Sequence, residues 1–256
     1  MTSLILKNSK PISLEDESFR SKLLNIASTI DNVIPLGRGD PDFHTPKHIV
    51  EAAKKALDDN LHHYTSPSGI EELREAISEN FKNKFKLNYL KNEIIVTAGV
   101  QESITLAMLS ILSKDDEVLL TSPRFTTYDL AVRLCDAKPI PVPTFEKNDF
   151  ALMPEEISKR ITSKTKILVL VSPNNPTGAV TPPEKIIEIA EIVKKNKLIV
   201  IADEIYADLV YENHTHLSIG SLEEMKGRTL TLNGFSKTYA MTGWRIGYIA
   251  GPSDII

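Results

Sequence analysis

Three apolar runs in this chain each end in residues that can do chemistry. The run Ile167–Val171 is followed by Ser172-Pro173-Asn174-Asn175-Pro176-Thr177-Gly178. Two prolines and a glycine stiffen that loop, so Asn175 is either a positioned hydrogen-bond donor or an asparagine in an ordinary turn. The run Leu198–Ala202 ends in Asp203-Glu204-Ile205-Tyr206. A carboxylate directly after a buried strand is costly to leave unpaired, so Asp203 either caps the next helix or meets a buried cation. The run Thr229–Leu232 ends in Asn233-Gly234-Phe235-Ser236-Lys237-Thr238, and Arg245 follows eight residues after Lys237. A lysine among small and apolar residues is poorly hydrated; it gives up its proton more readily and becomes a nucleophilic amine. Ser236 and Arg245 add a short hydroxyl donor and a planar fork, both suited to phosphate oxygens.

Each signal is weak alone. Together they ask for one ligand with a phosphate, a ring cation that needs a carboxylate, a ring oxygen that needs donors and an aldehyde that needs an amine. Pyridoxal 5′-phosphate carries all four groups, and a Schiff-base lysine with an acidic partner for the ring nitrogen is the way proteins hold it.

The elements that must position these residues alternate. Strand candidates are Ile94–Thr97, Val118–Thr121, Pro139–Val142, Ile167–Val171, Leu198–Ala202, Thr229–Leu232 and Ile246–Ala250. Helical patterns at Gln101–Leu112, Thr127–Leu134, Glu155–Ile161 and Pro182–Lys195 lie between most of them. Ile167–Val171 and Leu198–Ala202 are almost wholly apolar, as strands covered on both faces are. The expected architecture is a three-layer α/β/α domain with a mostly parallel seven-stranded sheet, whose ligands bind beyond the carboxyl ends of the strands. Earlier, Gly37-Arg38-Gly39-Asp40-Pro41-Asp42 reads as a turn-rich loop. Thr45-Pro46 is expected to start a helix running to about Leu57, Ser68-Gly69-Ile70-Glu71 to form a capping box, and Thr181 to cap the helix that follows.

Composition narrows the class. Apolar residues make up 41% and charged residues 25%, the balance of a globular protein rather than of a fibrous or disordered one. Thirty basic residues against 34 acidic ones leave no basic excess for nucleic acid or an anionic membrane. No apolar run is long enough to span a bilayer, and the N-terminus does not read as a signal peptide, so the cytoplasm is the expected compartment. Cys135 is the only cysteine, which rules out a disulfide within the chain. The six histidines are scattered; His62-His63 and His214-Thr215-His216 lack further ligands, and no metal site is expected.

The motifs resemble those of the class I and II, fold-type-I, pyridoxal-phosphate-dependent aminotransferases, nearest in style to the aspartate and aromatic aminotransferases. The resemblance is carried by Ser172–Gly178, Asp203–Tyr206, Ser236-Lys237 and Gly243-Trp244-Arg245. They stand in the family's order and spacing, with Asp203 28 residues after Asn175 and Lys237 34 after Asp203. Weaker matches are Gly37–Phe43, Tyr64–Gly69 and Thr97–Glu102. The resemblance implies that Lys237 forms the Schiff base and then moves the substrate's Cα proton, while Asp203 keeps the ring nitrogen protonated. It gives Asn175 and Tyr206 the ring oxygen, and places Asn175 near the substrate carboxylate. Phe125 would stack on the ring, unless it is a core aromatic. Backbone amides of Gly99, Val100 and Gln101, with Ser236 and Arg245, would form the phosphate cup. Tyr64 would reach the phosphate of a neighbouring subunit, implying a homodimer, and the backbone of Gly39 would lie against substrate.

Two departures are visible. Where some members carry a serine three residues before the lysine, this chain has Gly234. It also stops at Ile256, before the family's small C-terminal domain and its carboxylate-gripping arginine. The expected organisation is therefore an N-terminal arm and start of a small domain over residues 1–45, a cofactor-binding large domain over 46–256, and a missing C-terminal domain. The implied function is transfer of an amino group from an L-amino acid to a 2-oxo acid. The alternatives are C–S bond cleavage on the same scaffold and a truncated cofactor-binding module without turnover. Arg38 and Arg124 would either meet an acidic substrate or stand as solvated surface charges.

Overall fold

The computed structural model describes residues 19–34 and 39–256. The chain divides into two units, Met1–Asp40 and Pro41–Ile256. The first contains α1 (Phe19–Ala27), whose Ile26 is exposed, as are Ile30 and Ile34 after it. Gly37 and Arg38, part of the turn-rich loop expected there, lie outside the described residues.

The second unit opens with α2 (Lys47–Asp58) and α3 (Glu71–Asn80), which runs on into a π-helical turn at Phe81–Phe85. From there strands and helices alternate: β1 (Ile94–Thr97), α4 (Val100–Ile111), β2 (Glu117–Ser122), α5 (Thr127–Leu134), β3 (Lys138–Pro143), α6 (Pro154–Ser158), β4 (Thr165–Val171), α7 (Pro183–Lys195), β5 (Ile199–Asp203), β6 (Thr229–Gly234) and β7 (Gly247–Ala250). The seven strands form one sheet in the order β1-β7-β6-β5-β4-β2-β3. β7 is antiparallel to both its neighbours, and the other pairs are parallel.

Period-two alternation sorts each central strand between two cores. In β4, Ile167, Val169 and Val171 face Met108, Ile111, Tyr128 and Val132 of α4 and α5. Leu168 and Leu170 face Ile157 of α6 and Ile186, Ile189 and Val193 of α7. Both faces are thus covered, which explains why β4 and β5 read as continuous apolar runs. A third cluster joins Ile77, Phe81, Leu87 and Tyr89 to Ile94 of β1 and Tyr248 of β7.

Three expected helix starts differ. α2, α3 and α7 begin after Pro46, Ile70 and Pro182, none with a side-chain cap. The Thr45 hydroxyl instead donates to the Ala240 carbonyl at 2.7 Å. Ser68 pairs its hydroxyl with Ser66, and its carbonyl accepts from Val96 N. Thr181 is buried, and its N–H donates to Ser172 Oγ at 3.0 Å. For Thr45 and Ser68 a contact outside the helix claims the hydroxyl that would have capped it; for Thr181 the bond engages only the backbone.

Candidate active site

The register of the sheet brings the strand ends singled out in the sequence to one edge. Thr97 of β1 lies opposite Gly247 of β7, which lies opposite Gly234 of β6. Asp203 of β5 lies between Leu232 of β6 and Val171 of β4. The loops carrying Gly99, Lys237, Tyr206 and Asn175 therefore leave the same edge of the sheet.

Asp203 is only 5% exposed. It receives a hydrogen bond from the Tyr128 hydroxyl at 2.5 Å and another from Ile205 N at 3.1 Å. Burial pushes its carboxyl up from 3.8 to about 6; the two donors pull the other way, and the nearby Glu204 adds to the rise. Asp203 does not cap a helix. It is a desolvated carboxylate that gains from a cation beside it. Tyr128, wholly buried on α5, is raised well above the usual phenol range, first by burial and then by the charge of Asp203. The sequence reading missed Tyr128. It shares a helix face with Ala131 and Val132, the spacing of an ordinary core residue, and only the pairing of α5 with the end of β5 shows its hydroxyl at work.

Asn175 is held by its loop. Asn174 N donates to Ala179 O, Gly178 N to Asn174 O, and the Asn174 amide to Thr121 Oγ1 at 3.2 Å. The Asn175 amide reaches the Tyr206 hydroxyl at 3.5 Å. Lys237 Nζ stands 5.7 Å from the centre of the Tyr206 ring. Asn175, Tyr206 and Lys237 thus come together from three different loops.

The fourth corner is built on glycine. Gly99 has φ +85, a conformation that side chains rarely adopt, and a Cβ there would lie 2.3 Å from Arg245 Nη2. Arg245 donates to Thr242 O at 2.9 Å, with its fork against the turn that opens α4. The first N–H groups of a helix have no acceptor within it, so Val100 and Gln101 present donors beside this guanidinium. Gly234 explains its own departure from the serine-bearing pattern. A Cβ there would meet Ile246 O at 2.9 Å and Gly247 Cα at 3.0 Å, so β7 occupies the space a serine would need.

The remaining candidates are placed less centrally. Phe125 is half-buried against the core of α4 and α5. Tyr64 stands fully exposed between α2 and α3. Gly39 belongs to the first unit. Arg124 is neither a solvated charge nor free for an acidic substrate: it forks onto Asp129 through Nε and Nη2 at 2.8 and 2.6 Å, and donates to Thr121 O. Beside Asp203, Glu204 Oε2 and His216 Nε2 lie 3.4 Å apart and buried, without hydrogen-bond alignment. Among the described residues no three acidic, histidine or cysteine side chains gather as metal ligands. None of the described helices is long and apolar enough to cross a membrane.

A mostly parallel sheet with a buried acid, an amine and an arginine-backed glycine turn at one edge has the form of an α/β fold that binds its ligand beyond the carboxyl ends of the strands. The chain belongs to the aminotransferase class I and II family, which it matches over residues 31–256. It is 46% identical to the aspartate aminotransferase of Pyrococcus abyssi over 96% of its own length and 63% of that protein's. It is 44% identical to aromatic-amino-acid aminotransferase 2 of Thermococcus litoralis, over 92% and 61%. The Thermus thermophilus aspartate aminotransferase, solved with maleate, superposes with a TM-score of 0.88 at 38% identity, covering 98% of this chain and 63% of that one. The chain thus spans less than two thirds of the length of these relatives.

Proposed function

We propose that this chain is the cofactor-binding part of a pyridoxal-phosphate-dependent aminotransferase, a transferase of nitrogenous groups that moves an amino group from an L-amino acid to a 2-oxo acid. The observation that carries the reading is Asp203, a buried carboxylate whose burial favours a cationic partner, at the same sheet edge as the loops that carry the Lys237 amine and an arginine-lined glycine turn. The donor set fits the group. Asp203 suits a ring nitrogen that must stay protonated, and Asn175 and Tyr206 suit a ring oxygen. Arg245, Ser236 and the amides of Gly99, Val100 and Gln101 suit a phosphate. Phe125 is assigned to the ring face, and Gly39 to the substrate side.

When bound, pyridoxal phosphate supplies an electron sink that makes the substrate's Cα–H acidic. Tyr128 holds the Asp203 carboxylate in one orientation, so its charge stays aimed at a single point. Lys237 Nζ would hold the cofactor and would move the proton at the substrate's Cα. Tyr206 keeps its ring beside that amine and its hydroxyl beside the Asn175 amide. Asn175 also offers a donor for the substrate carboxylate. The names of the relatives and the maleate held by one of them favour dicarboxylic and aromatic amino acids as substrates. We further assign residues 1–45 to an arm and the start of a small domain, and residues 46–256 to the large domain. The working form is a cytoplasmic homodimer, in which exposed Tyr64 reaches the partner's phosphate.

The test is a half-reaction. The intact gene product, loaded with cofactor and given single L-amino acids without an acceptor, converts the cofactor to its amine form and releases the matching 2-oxo acid. Release of pyruvate and a thiol from cystathionine, with no half-reaction on any amino acid, contradicts the reading.

A further inference from the structure

Lys237 sits on the turn that leaves β6, and the packing behind that turn is incomplete. Phe235, Thr238 and Tyr239 form one wall of a cavity of about 200 Å³, and Leu73, Ala76 and Ile77 of α3 form another. A turn backed by a cavity is not fixed by close packing on that side. Backbone bonds within the turn, Tyr239 N to Phe235 O and Met241 N to Ser236 O, fix its internal shape. Contacts outside it help to fix where it stands, and a base works only from within hydrogen-bond reach of the proton it moves.

Two side-chain contacts hold the turn from outside, and the second joins residues that line the cavity. At the far end of the turn, the Thr45 hydroxyl grips the carbonyl of Ala240, a non-glycine residue at φ +51. At the near end, directly after Lys237, the Thr238 hydroxyl donates to Asp208 Oδ2 at 3.0 Å. Asp208 itself is rigidly placed. It lies two residues after Tyr206 in a pair of turns, with Ala207 N donating to Glu204 O at 2.9 Å and Leu209 N to Tyr206 O at 2.8 Å. Its other carboxylate oxygen is ion-paired with Lys84 on the π-helical turn. The two Asp208 oxygens therefore divide the work. Oδ1 anchors the residue to the end of α3, and Oδ2 holds the turn of the lysine.

We propose that Asp208 is a positioning residue for Lys237, acting through the Thr238 hydroxyl to fix the lysine-bearing turn against the Tyr206 turn. It does not touch cofactor or substrate. It sets the separation between the amine and the tyrosine, since one short loop carries both Tyr206 and Asp208. Without it the turn relaxes towards the cavity, and Lys237 Nζ moves out of line. The inference rests on Lys237 being the cofactor-bearing lysine.

The test follows the absorbance of the cofactor-loaded intact gene product as pH is raised, alongside steady-state kinetics. A released lysine nitrogen is wetter, and water favours its protonated form, so Thr238→Val moves the titration midpoint to higher pH by at least about half a unit. Turnover falls on the order of tenfold, with KM for the amino acid within about twofold, as misplacement of a base predicts. Thr238→Ser restores both. Asp208→Ala gives the same shift, and the double variant shifts no further. A Thr238→Val protein that titrates and turns over like wild type, a Thr238→Ser protein that behaves like Thr238→Val, or additive shifts overturn the proposal. A wild type with no borohydride-trappable link at Lys237 overturns the underlying reading as well. A wild type that traps normally beside an unaltered Thr238→Val protein overturns this proposal alone.

Discussion

Asp203 shows how one residue trades stability for chemistry. Its carboxyl titrates near 6 in the folded chain against 3.8 for the free group. Between those values the folded chain retains a proton that the unfolded chain has released. Stability therefore falls as pH rises through that window and stays reduced above it, by about 3 kcal/mol for one such group. Asparagine can still accept the Tyr128 hydroxyl and carries no charge to desolvate. Asp203→Asn should therefore melt higher than wild type without cofactor at about pH 8, the advantage vanishing by about pH 4, while its turnover collapses. A variant that melts lower at the higher pH contradicts the burial account. Asp203 was legible in the sequence only together with Lys237 and Arg245, because a lone acid after an apolar strand is more commonly a helix cap. Tyr128 was not, because a tyrosine on a buried helix face looks the same whether or not its hydroxyl is used. Arg124 was legible only as a charge. Its partner Asp129 lies five residues on, and the bidentate geometry depends on how the chain turns into α5.

At the scale of elements, the site depends on how closely β6, β7 and the start of α4 approach. Glycines make that approach possible. A Cβ on Gly247 would meet Gly99 C and Val100 N at 2.7 Å, both backbone atoms that cannot swing aside. The corresponding atoms at Gly99 are the tip of the Arg245 side chain, which can. Gly247→Ala should therefore cost about 2–4 kcal/mol in a denaturant melt, as overpacking and backbone displacement do, and Gly99→Ala nearer ~1–2 kcal/mol from its glycine-only backbone conformation. Gly99→Ala should still weaken cofactor affinity roughly tenfold, by displacing Arg245 from its cup. Equal losses of stability in the two variants would contradict this geometry. Strand identity was readable from β-branched runs, and β1 spans the residues expected of it. Helix starts were less readable. Thr45 and Ser68 have the side chains of caps, but the Ala240 carbonyl and the Ser66 hydroxyl hold them elsewhere. A local signal loses when a partner outside the helix offers a hydrogen bond.

For the whole molecule, the exposure of Tyr64 is the feature that a single chain does not use. A tyrosine at full exposure, on a loop between two helices, buries nothing here. If it completes a partner's phosphate cup, dimers formed from Tyr64→Ala and Lys237→Ala chains should regain activity. Each mixed dimer then holds one site with an intact lysine and an intact tyrosine from opposite chains. Mixtures no more active than the two parents combined would contradict a shared site. The three-layer architecture was legible as a whole because the alternation of strand and helix leaves few ways to cover both faces of a sheet. The order of its strands was not, since β1 lies beside β7 and no local pattern records that pairing.

Whether Lys237 carries pyridoxal phosphate, with Asp203 beside the ring nitrogen, is decided by chemical trapping. The intact gene product is incubated with the cofactor, reduced with borohydride, digested and mapped by mass. A single pyridoxyl label is expected on the peptide containing Ser236-Lys237-Thr238, lost in Lys237→Ala. A label on another lysine, or none, contradicts that assignment.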